Sequence, residues 1–157
     1  MIRTLAEGEP FRCAGNLFQM LLPRDEGECC EVVLETLGPG HSTPPNQHAT
    51  FVQIYVILRG EAKVTIGGET RTVRAPAVAF IPKDTNHFVS NESSGDAVEY
   101  VYISIWPEGI PAREKDGGWR EVYARMIQEY SDRGYPAERD GDGGGREDLR
   151  PQDHSRR

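Results

Sequence analysis

Residues 40–91 of this 157-residue chain have the sequence GHSTPPNQHATFVQIYVILRGEAKVTIGGETRTVRAPAVAFIPKDTNHFVSN. Short runs rich in Val, Ile, Tyr and Thr alternate here with Gly, Pro and Asn, and each run is too short for a helix. The pair Gly67-Gly68 separates two such runs and is typical of a two-residue hairpin turn, because glycine accepts positive φ angles. This stretch therefore predicts an antiparallel sheet made of short strands.

The same pattern continues on both sides of this stretch. We predict strands at residues 17–22, 29–37, 52–58, 61–66, 70–73, 77–81, 87–89 and 97–105. Many short strands with regularly spaced turns indicate a closed or sandwiched all-β barrel, here over about residues 12–107.

A different periodicity follows the predicted barrel. Residues 118–131 carry one apolar stripe at helical spacing, formed by Trp119, Val122, Tyr123, Met126, Ile127 and Tyr130. We predict a helix that packs on the outside of the barrel or on a partner subunit and ends at Gly134. Residues 1–135 would form a single domain. Residues 136–157 contain almost no aliphatic side chains, so they are predicted to be a disordered tail.

Composition narrows the classes of function. Asp and Glu number 25 against 18 Lys and Arg, a net charge of −7, and no basic cluster is present, so we expect no nucleic-acid binding. No apolar run is long enough to span a membrane, and the N-terminus lacks the pattern of a secretory signal. Cys13, Cys29 and Cys30 do not form a disulfide framework or a zinc-site spacing. We therefore expect a cytoplasmic protein with reduced thiols.

Two motifs in residues 40–91 resemble those of the cupin superfamily, G-x5-H-x-H-x3-4-E-x6-G and G-x5-P-x-G-x2-H-x3-N. The spacing matches throughout. Residue identity matches at Gly40, His48, Gly60, Pro82, His87 and Asn91. Pro76 and Asp84 stand at glycine positions of the second motif. The resemblance implies a double-stranded β-helix, the jelly-roll barrel of cupins.

The resemblance also implies a metal site. Cupins bind one divalent metal through inward-pointing side chains, and the implied ligands here are Asn46, His48, Gln53 and His87. Asparagine replaces the first histidine of the family and glutamine replaces its glutamate, and both amides can coordinate through the carbonyl oxygen. The implied cofactor is a divalent Mn, Fe, Ni or Zn ion.

Such a ligand set contains no carboxylate to offset the charge of the metal. We therefore expect weaker metal binding than is usual in the family and a preference for a small anionic or oxygen-rich molecule inside the barrel. A metal of this kind would act as a Lewis acid, which favours isomerase, cyclase or lyase chemistry over dioxygenation. The alternative is a non-catalytic, metal-free cupin that binds a small molecule.

Further candidate catalytic residues depend on which faces of two strands point inward. Strand alternation points Tyr55 into the barrel with the implied ligand two residues before it. In residues 97–105, Tyr100 and Tyr102 share one face, and Glu99 lies on the other. Either the two tyrosines line the pocket, or Glu99 is the buried carboxylate that serves as a general base or metal ligand. His41 is expected at the rim of the site, with a fifth-donor role as the alternative.

Assembly is the last expectation. Residues 17–22 are apolar and are a candidate edge strand, which would need covering. We therefore predict a homodimer in which this N-terminal strand packs on the partner.

Overall fold

A computed structural model describes residues 1–136 of the chain. The strands in this part of the chain are β1 (Glu9–Cys13), β2 (Asn16–Leu22), β3 (Cys30–Leu37), β4 (Val52–Arg59), β5 (Glu61–Ile66), β6 (Glu69–Arg74), β7 (Ala77–Ile81), β8 (His87–Ser90) and β9 (Val98–Ile105). A 3-10 turn at Leu5–Glu7 precedes them, and the helices α1 (Ala112–Lys115) and α2 (Gly118–Asp132) follow.

The strands form two antiparallel sheets. The larger sheet has the order β1-β2-β3-β9-β4-β7, and the smaller one has the order β6-β5-β8. Strands far apart in sequence are neighbours in the larger sheet, as expected of a jelly roll. The predicted all-β jelly roll with a C-terminal helix is confirmed. Within residues 1–136 the two sheets remain separate hydrogen-bonded ladders, so they do not close into one continuous barrel.

The N-terminal strand was missed by the sequence analysis, which began the barrel near residue 12. Strand β1 contains Glu9, Pro10 and Arg12 and lies at the edge of the larger sheet, where it pairs only with β2. An edge strand tolerates proline and charges, so it carries a weak sequence signal. The prediction that residues 17–22 form an edge is wrong, because β2 is paired with β1 on one side and β3 on the other.

The predicted turns form where the glycines lie. The hairpin between β5 and β6 is confirmed, with Ile66 paired to Glu69 and a positive φ of 59° at Gly67. Gly60 joins β4 to β5 with a φ of 82°, and a Cβ there would lie 2.5 Å from the carbonyl oxygen of Ala97. A side chain at residue 60 would therefore force the backbone of the neighbouring loop to move.

The loop before β4 runs beside β8 and brings the two sequence motifs together. The backbone of Asn46 exchanges hydrogen bonds of 3.1 and 2.9 Å with His87, and the amide of Thr43 donates to the carbonyl of Val89 at 2.9 Å. The Asn91 side chain holds the far end of β8, donating to the carbonyl oxygens of Leu37 and Asp96. Asn91 therefore has a structural role in this chain.

Helix α2 packs against β1 and adds side chains to the hydrophobic core. Trp119, Tyr123 and Tyr130 are buried in the same hydrophobic cluster as Phe18. The ring of Phe11 lies 4.9 Å from that of Tyr123, in an edge-to-face arrangement that favours packing. The helix ends at Asp132, close to Gly134, which has a φ of 88° as the C-terminal signal predicted.

Two expectations concern features beyond this fold. In residues 1–136, no helix combines the length and apolar character that crossing a membrane requires. The predicted tail, residues 136–157, lies outside the described residues except for Pro136.

Candidate functional site

A cavity of about 90 Å³ lies between the two sheets, with α2 along one side. At roughly 10–15 Å³ per water position, this space can hold a molecule of several non-hydrogen atoms. Its polar lining consists of Cys13, Arg24, Glu31, Glu35, Thr43, Asn46, His48, Gln53, Tyr55, His87, Tyr100, Tyr102, Ser104, Tyr123 and Tyr130. The jelly roll therefore holds a cavity with many polar groups beside its hydrophobic core.

Two histidines lie next to each other in this cavity. The ring centres of His48 and His87 are 5.1 Å apart, and the ring of His48 stacks on Phe51 at 4.1 Å. Nδ1 of His87 lies 2.8 Å from the carbonyl oxygen of Thr85. A carbonyl can only accept, so Nδ1 carries the proton, and Nε2 of His87 keeps a free lone pair. The structure thus brings together the two histidines that the motifs predicted.

Both histidines are held in the neutral form. Burial, together with His87 and Arg24 nearby, lowers the pKa of His48 to about 3. Burial also lowers the pKa of His87, although its hydrogen bond to Thr85 opposes this change. Neutral imidazole is the form that binds metals and accepts hydrogen bonds. No proton has to leave either ring at neutral pH before it can do so.

The two amide side chains are engaged in internal hydrogen bonds. The backbone amide of Gln47 donates to Asn46 Oδ1 at 2.9 Å, and Asn46 Nδ2 donates to the Tyr130 hydroxyl at 2.6 Å. Gln53 Nε2 donates to Ser104 Oγ at 3.0 Å, and Gln53 Oε1 accepts from Tyr55 at 3.3 Å. Each amide oxygen retains one lone pair. The bond from Asn46 Nδ2 to Tyr130 ties this side chain to α2 and does not occupy Oδ1, the atom that would coordinate a metal.

The structure decides between the two faces of β9. Tyr100 and Tyr102 are buried and line the cavity together with Tyr55. Glu99 lies on the outer face of β9, where its carboxylate is 3.9 Å from the guanidinium of Arg59. The alternative in which Glu99 is the buried carboxylate is therefore wrong, because strand alternation directs it away from the cavity.

His41 is also outside the cavity lining. Its Nδ1 lies 3.3 Å from Oδ1 of Asn16, beside the loop that precedes the site. The expected rim position therefore agrees with the structure better than the role of a fifth donor.

Sequence reasoning missed the buried carboxyl group of the cavity, which is Glu35 of β3. Its Oε2 accepts a hydrogen bond from the Tyr100 hydroxyl, and its Oε1 has no hydrogen-bond partner in the described residues. Burial raises the pKa of Glu35 to about 8, and the hydrogen bond from Tyr100 limits the rise. Glu35 is therefore mostly protonated at neutral pH.

The sequence also did not reveal a buried network of hydrogen bonds that joins the larger sheet to α2. The guanidinium of Arg24 binds both oxygens of Glu31, with N–O distances of 2.7 and 2.8 Å. Tyr123 donates to the same carboxylate at 2.7 Å, and its hydroxyl lies 2.7 Å from that of Tyr102. Because the charges of Arg24 and Glu31 neutralise each other, this network contributes no net charge to the cavity.

A weak signal for both glutamates exists in the sequence. Glu31 and Glu35 are four residues apart in β3, and they alternate with Val33 and Leu37 on the buried face. Two acidic residues in phase with buried aliphatic residues indicate a functional or paired carboxylate. The pairing of Glu31 with Arg24 could not be seen in the sequence.

The two histidines of the cavity are suited to binding a divalent metal, but the rest of the lining offers fewer donors. Two imidazoles sharing a metal with bonds of about 2.0–2.1 Å place their ring centres about 5 Å apart, which agrees with His48 and His87. The free Nε2 of His87 and its hydrogen-bonded Nδ1 match the usual arrangement of a ligand histidine. Within residues 1–136, however, no three His, Cys, Asp or Glu side chains cluster as a metal site. Further donors would have to be the amide oxygens, water or the bound molecule.

Comparisons with known proteins agree with the fold. The family model described as the cupin domain matches residues 33–104. No curated protein matches the chain.

Solved structures with a similar fold include a predicted oxalate decarboxylase from Thermotoga maritima, with a TM-score of 0.61, 23% identity, and coverage of 68% of this chain and 99% of that one. An RmlC-like cupin from Shewanella frigidimarina has a TM-score of 0.56 and 18% identity over 68% of this chain and 92% of its own. A cupin domain from Schizosaccharomyces pombe has a TM-score of 0.61 and 16% identity over 81% of each chain. At these identities the likeness concerns the fold.

Proposed function

Because the chain belongs to the cupin superfamily, we propose that it binds a small oxygen-rich molecule in its cavity and acts on it as a divalent-metal-dependent enzyme. His48 and His87 are the proposed protein ligands of the metal. The observation that carries this proposal is the pair of neutral imidazoles, with ring centres 5.1 Å apart, at the cavity. Neutral, adjacent and partly oriented imidazoles are what a divalent ion such as Mn, Fe, Ni or Zn requires.

The balance of charges in the cavity supports an anionic or oxygen-rich molecule as the ligand. Two imidazoles leave the charge of a bound metal uncompensated, and the buried pair Arg24–Glu31 adds none. An anionic or oxygen-rich molecule would therefore be attracted to the site, and the metal would polarise one of its oxygens. The fold shared with a predicted oxalate decarboxylase is in keeping with a small oxygen-rich substrate. Lewis-acid isomerase, cyclase or lyase chemistry remains favoured over oxygen activation, which usually uses three histidines or two with a carboxylate.

The tyrosines of the cavity would orient the bound molecule. Burial raises the pKa of Tyr55 and Tyr102 well above the usual value, so both hydroxyls keep their protons at physiological pH. Tyr55 already donates to Gln53, and Tyr102 shares a hydrogen bond with Tyr123. Because each hydroxyl has a single proton, it can accept a hydrogen bond from a ligand O–H as it stands, and it donates to a ligand oxygen only by giving up its internal hydrogen bond.

A metal-free, non-catalytic binding protein is the second candidate. It is favoured by the hydrogen bonds that Asn46 Nδ2 and Gln53 Nε2 donate within the protein, because these bonds fix both amides without a metal. In that case His48 and His87 would accept hydrogen bonds from the bound molecule. Metal content separates the two candidates.

The deciding experiment measures metal in the protein after expression in metal-rich medium, by elemental analysis of the wild type and three variants. We expect about one equivalent of metal per wild-type chain and at least a tenfold loss in His48→Ala and in His87→Ala, because a lost ligand costs more than the about 10–100-fold effect of an outer hydrogen-bond partner. His41→Ala is the matched control, since His41 lies outside the cavity lining, and it should keep the wild-type content. A metal-free wild type would favour the second candidate.

The cellular compartment remains a prediction. Cys13, Cys29 and Cys30 are free thiols, and Cys29 is exposed. An exposed free thiol beside a second cysteine is best preserved in a reducing compartment, so we propose a cytoplasmic location. Mass spectrometry of alkylated protein from cell extracts would test this, with three alkylated cysteines as the expected result.

A further inference from the structure

Glu35 is a buried carboxyl group in the cavity wall that no cation neutralises. Its side chain is 3% exposed, and no Lys, Arg or His within residues 1–136 forms a salt bridge with it. Oε2 accepts from the Tyr100 hydroxyl, but Oε1 has no hydrogen-bond partner among the described residues. Buried polar atoms in native proteins rarely lack partners, so this oxygen is available to something that enters the cavity.

The surroundings favour the neutral acid. An isolated buried carboxylate would pay a large desolvation cost, whereas the protonated group pays much less. The Tyr100 hydroxyl donates a hydrogen bond to Oε2, so the proton of the neutral carboxyl group lies on Oε1. The unpartnered atom is therefore an O–H group at neutral pH, in the wall of the space that would hold the ligand.

We propose that Glu35 is the proton donor of this cavity and presents its Oε1 hydroxyl to an acceptor oxygen of the bound molecule. The inference rests on the proposed function, because it needs an oxygen-rich ligand in the cavity. In the transfer step the carboxyl O–H bond breaks and the ligand oxygen gains the proton. The resulting carboxylate keeps the hydrogen bond from Tyr100. Return of the same proton restores the acid, so the cycle needs no co-reactant.

The titratable groups that face Glu35 from other strands and from α2 do not titrate in the pH range in which Glu35 does. Burial and the proximity of Glu35 raise the pKa of Cys13 in β1 to about 12. Burial also raises the pKa of Tyr55 in β4, of Tyr100 in β9 and of Tyr130 in α2 above the usual value of tyrosine. The remaining neighbours are Tyr102, whose pKa burial likewise raises, and the uncharged Asn16. Between pH 7 and 9, a change in this part of the cavity reports on Glu35.

Titration calorimetry of the full chain with sodium lactate, a small 2-hydroxy carboxylate, tests the donor role at pH 7 and pH 9. We expect the wild type to bind about tenfold more weakly at pH 9, because a carboxyl group one unit above its pKa is about one-tenth protonated. Glu35→Gln keeps an N–H donor and cannot ionise, so the lactate affinity of this variant should differ by less than about twofold between pH 7 and pH 9. Glu99→Gln makes the same change on the outer face and should keep the tenfold loss.

Two further measurements keep the test independent of one variant. In Tyr100→Phe the ionised carboxylate loses a hydrogen bond, so the loss of lactate affinity should move to higher pH. In the ligand-free protein, 13C NMR should show one glutamate carboxyl carbon that titrates near pH 8 and is absent from Glu35→Gln.

The possible failures are distinguishable. If lactate binds but Glu35→Gln keeps the wild-type pH dependence, the donor role is wrong and the proposed function stands. If the NMR signal shows Glu35 ionised at pH 7, the donor role is wrong as well. If the wild type binds no lactate at pH 7, the proposed ligand class is wrong, and the donor role is overturned with it.

Discussion

The two faces of the larger sheet differ in the side chains that they carry, because polar groups lie among the apolar residues of the buried face. Antiparallel sheets commonly bury apolar residues and expose polar ones. Here the buried face of β3, β4 and β9 carries the apolar Val33, Leu37, Ile57 and Val98. The same face also carries polar or hydroxyl-bearing residues, which are Glu31, Glu35, Gln53, Tyr55, Tyr100, Tyr102 and Ser104. The outer face carries two apolar rows across β3, β9, β4 and β7, formed by Leu34, Val101, Val56 and Val78, and by Val32, Ile103, Ile54 and Phe80.

The difference indicates separate tasks for the two faces. Buried polar groups cost stability unless they are paired, and this cost is in keeping with the proposed role of the cavity in binding a molecule. A broad apolar exterior needs a cover, and Val78 and Phe80 are 72% and 56% exposed. A second copy of the chain, related by a two-fold axis, can cover such a face with the same face of its own. We therefore expect the predicted homodimer to form here rather than through β2.

The largest effect should come from an unpaired charge on the inner face. Arg24→Met leaves Glu31 buried without its cation, and we expect a loss of about 3–5 kcal/mol in the free energy of unfolding. Arg59→Met is the matched control on the outer face, where the pair with Glu99 is partly exposed, and it should cost less than about 1 kcal/mol. Urea unfolding measures both. Equal losses would mean that the inner pair is not specially dependent on Arg24.

The pH dependence of stability should also separate the faces. The pKa of Glu35 is raised by folding, so folded protein holds this proton more tightly and stability falls as pH rises from about 4.5 to about 8. The pKa of His48 is lowered, so its contribution is lost only as pH falls below about 6.5. Between pH 6.5 and 8 the contribution of Glu35 falls by about 1.6 kcal/mol, and the last part of the histidine titration offsets some of this, so the wild type should lose about 1 kcal/mol.

Thermal and urea unfolding of Glu35→Gln and Glu99→Gln across this range check that expectation. The first variant should lose the downward slope above pH 6.5, and the second should keep it, because Glu99 lies on the outer face. A wild type that is equally stable at pH 6.5 and pH 8 would contradict the assignment of the slope to Glu35.

A carboxylate introduced at the proposed metal site should have a smaller effect that depends on metal. Gln53→Glu adds a charged donor to the cavity, so we expect tighter metal binding and a higher melting temperature when metal is present. In metal-free buffer the same variant should lose about 1–2 kcal/mol by burying a charge, because the hydroxyls of Ser104 and Tyr55 offset part of the cost.

Gln19→Glu provides the matched control for this substitution. Gln19 is paired with Leu34 in the outer row of the larger sheet, so a carboxylate there should leave metal content unchanged. If Gln53→Glu melts lower than the wild type and holds no more metal, the metal site is wrong and the metal-free candidate is favoured.

The smallest effect on stability, with a large effect on assembly, is expected on the outer face. Phe80→Lys places a charge in the apolar rows but fills no internal space, so monomer stability should change by less than about 0.5 kcal/mol. Light scattering should show the wild type at twice the mass of one chain and the variant at the mass of a single chain. Thr72→Lys, an exposed position in the smaller sheet, should remain dimeric. A monomeric wild type at micromolar concentration would overturn the homodimer.

Much of the fold was visible in the sequence because local chemistry decides it. The alternation in residues 52–58 and 97–105 correctly predicted which residues share a face, and Gly60 and Gly67 marked turns that only glycine accepts easily. The edge strand β1 was missed, because proline and charge at an edge cost little and weaken the pattern.

The site was predicted only in part. The motif spacing identified His48 and His87, whose ring centres lie 5.1 Å apart at the cavity. Glu35 was missed because the apolar residues of β3 lie on both faces of the strand, so the sequence alone does not tell which face is buried. The bond between Asn46 and Tyr130 joins residues 84 positions apart, and no local pattern predicts such a contact.

The sequence by itself therefore determined the all-β jelly roll, its strand alternation and the two histidines, because each depends on spacing along one chain segment. The tertiary structure alone decided that the tyrosine face of β9 is the inner one, that Glu31 is neutralised by Arg24, and that Glu35 is not neutralised. The physical reason is that charge, burial and pKa depend on neighbours supplied by distant strands and by α2. Only the packed sheets bring those neighbours within hydrogen-bond distance.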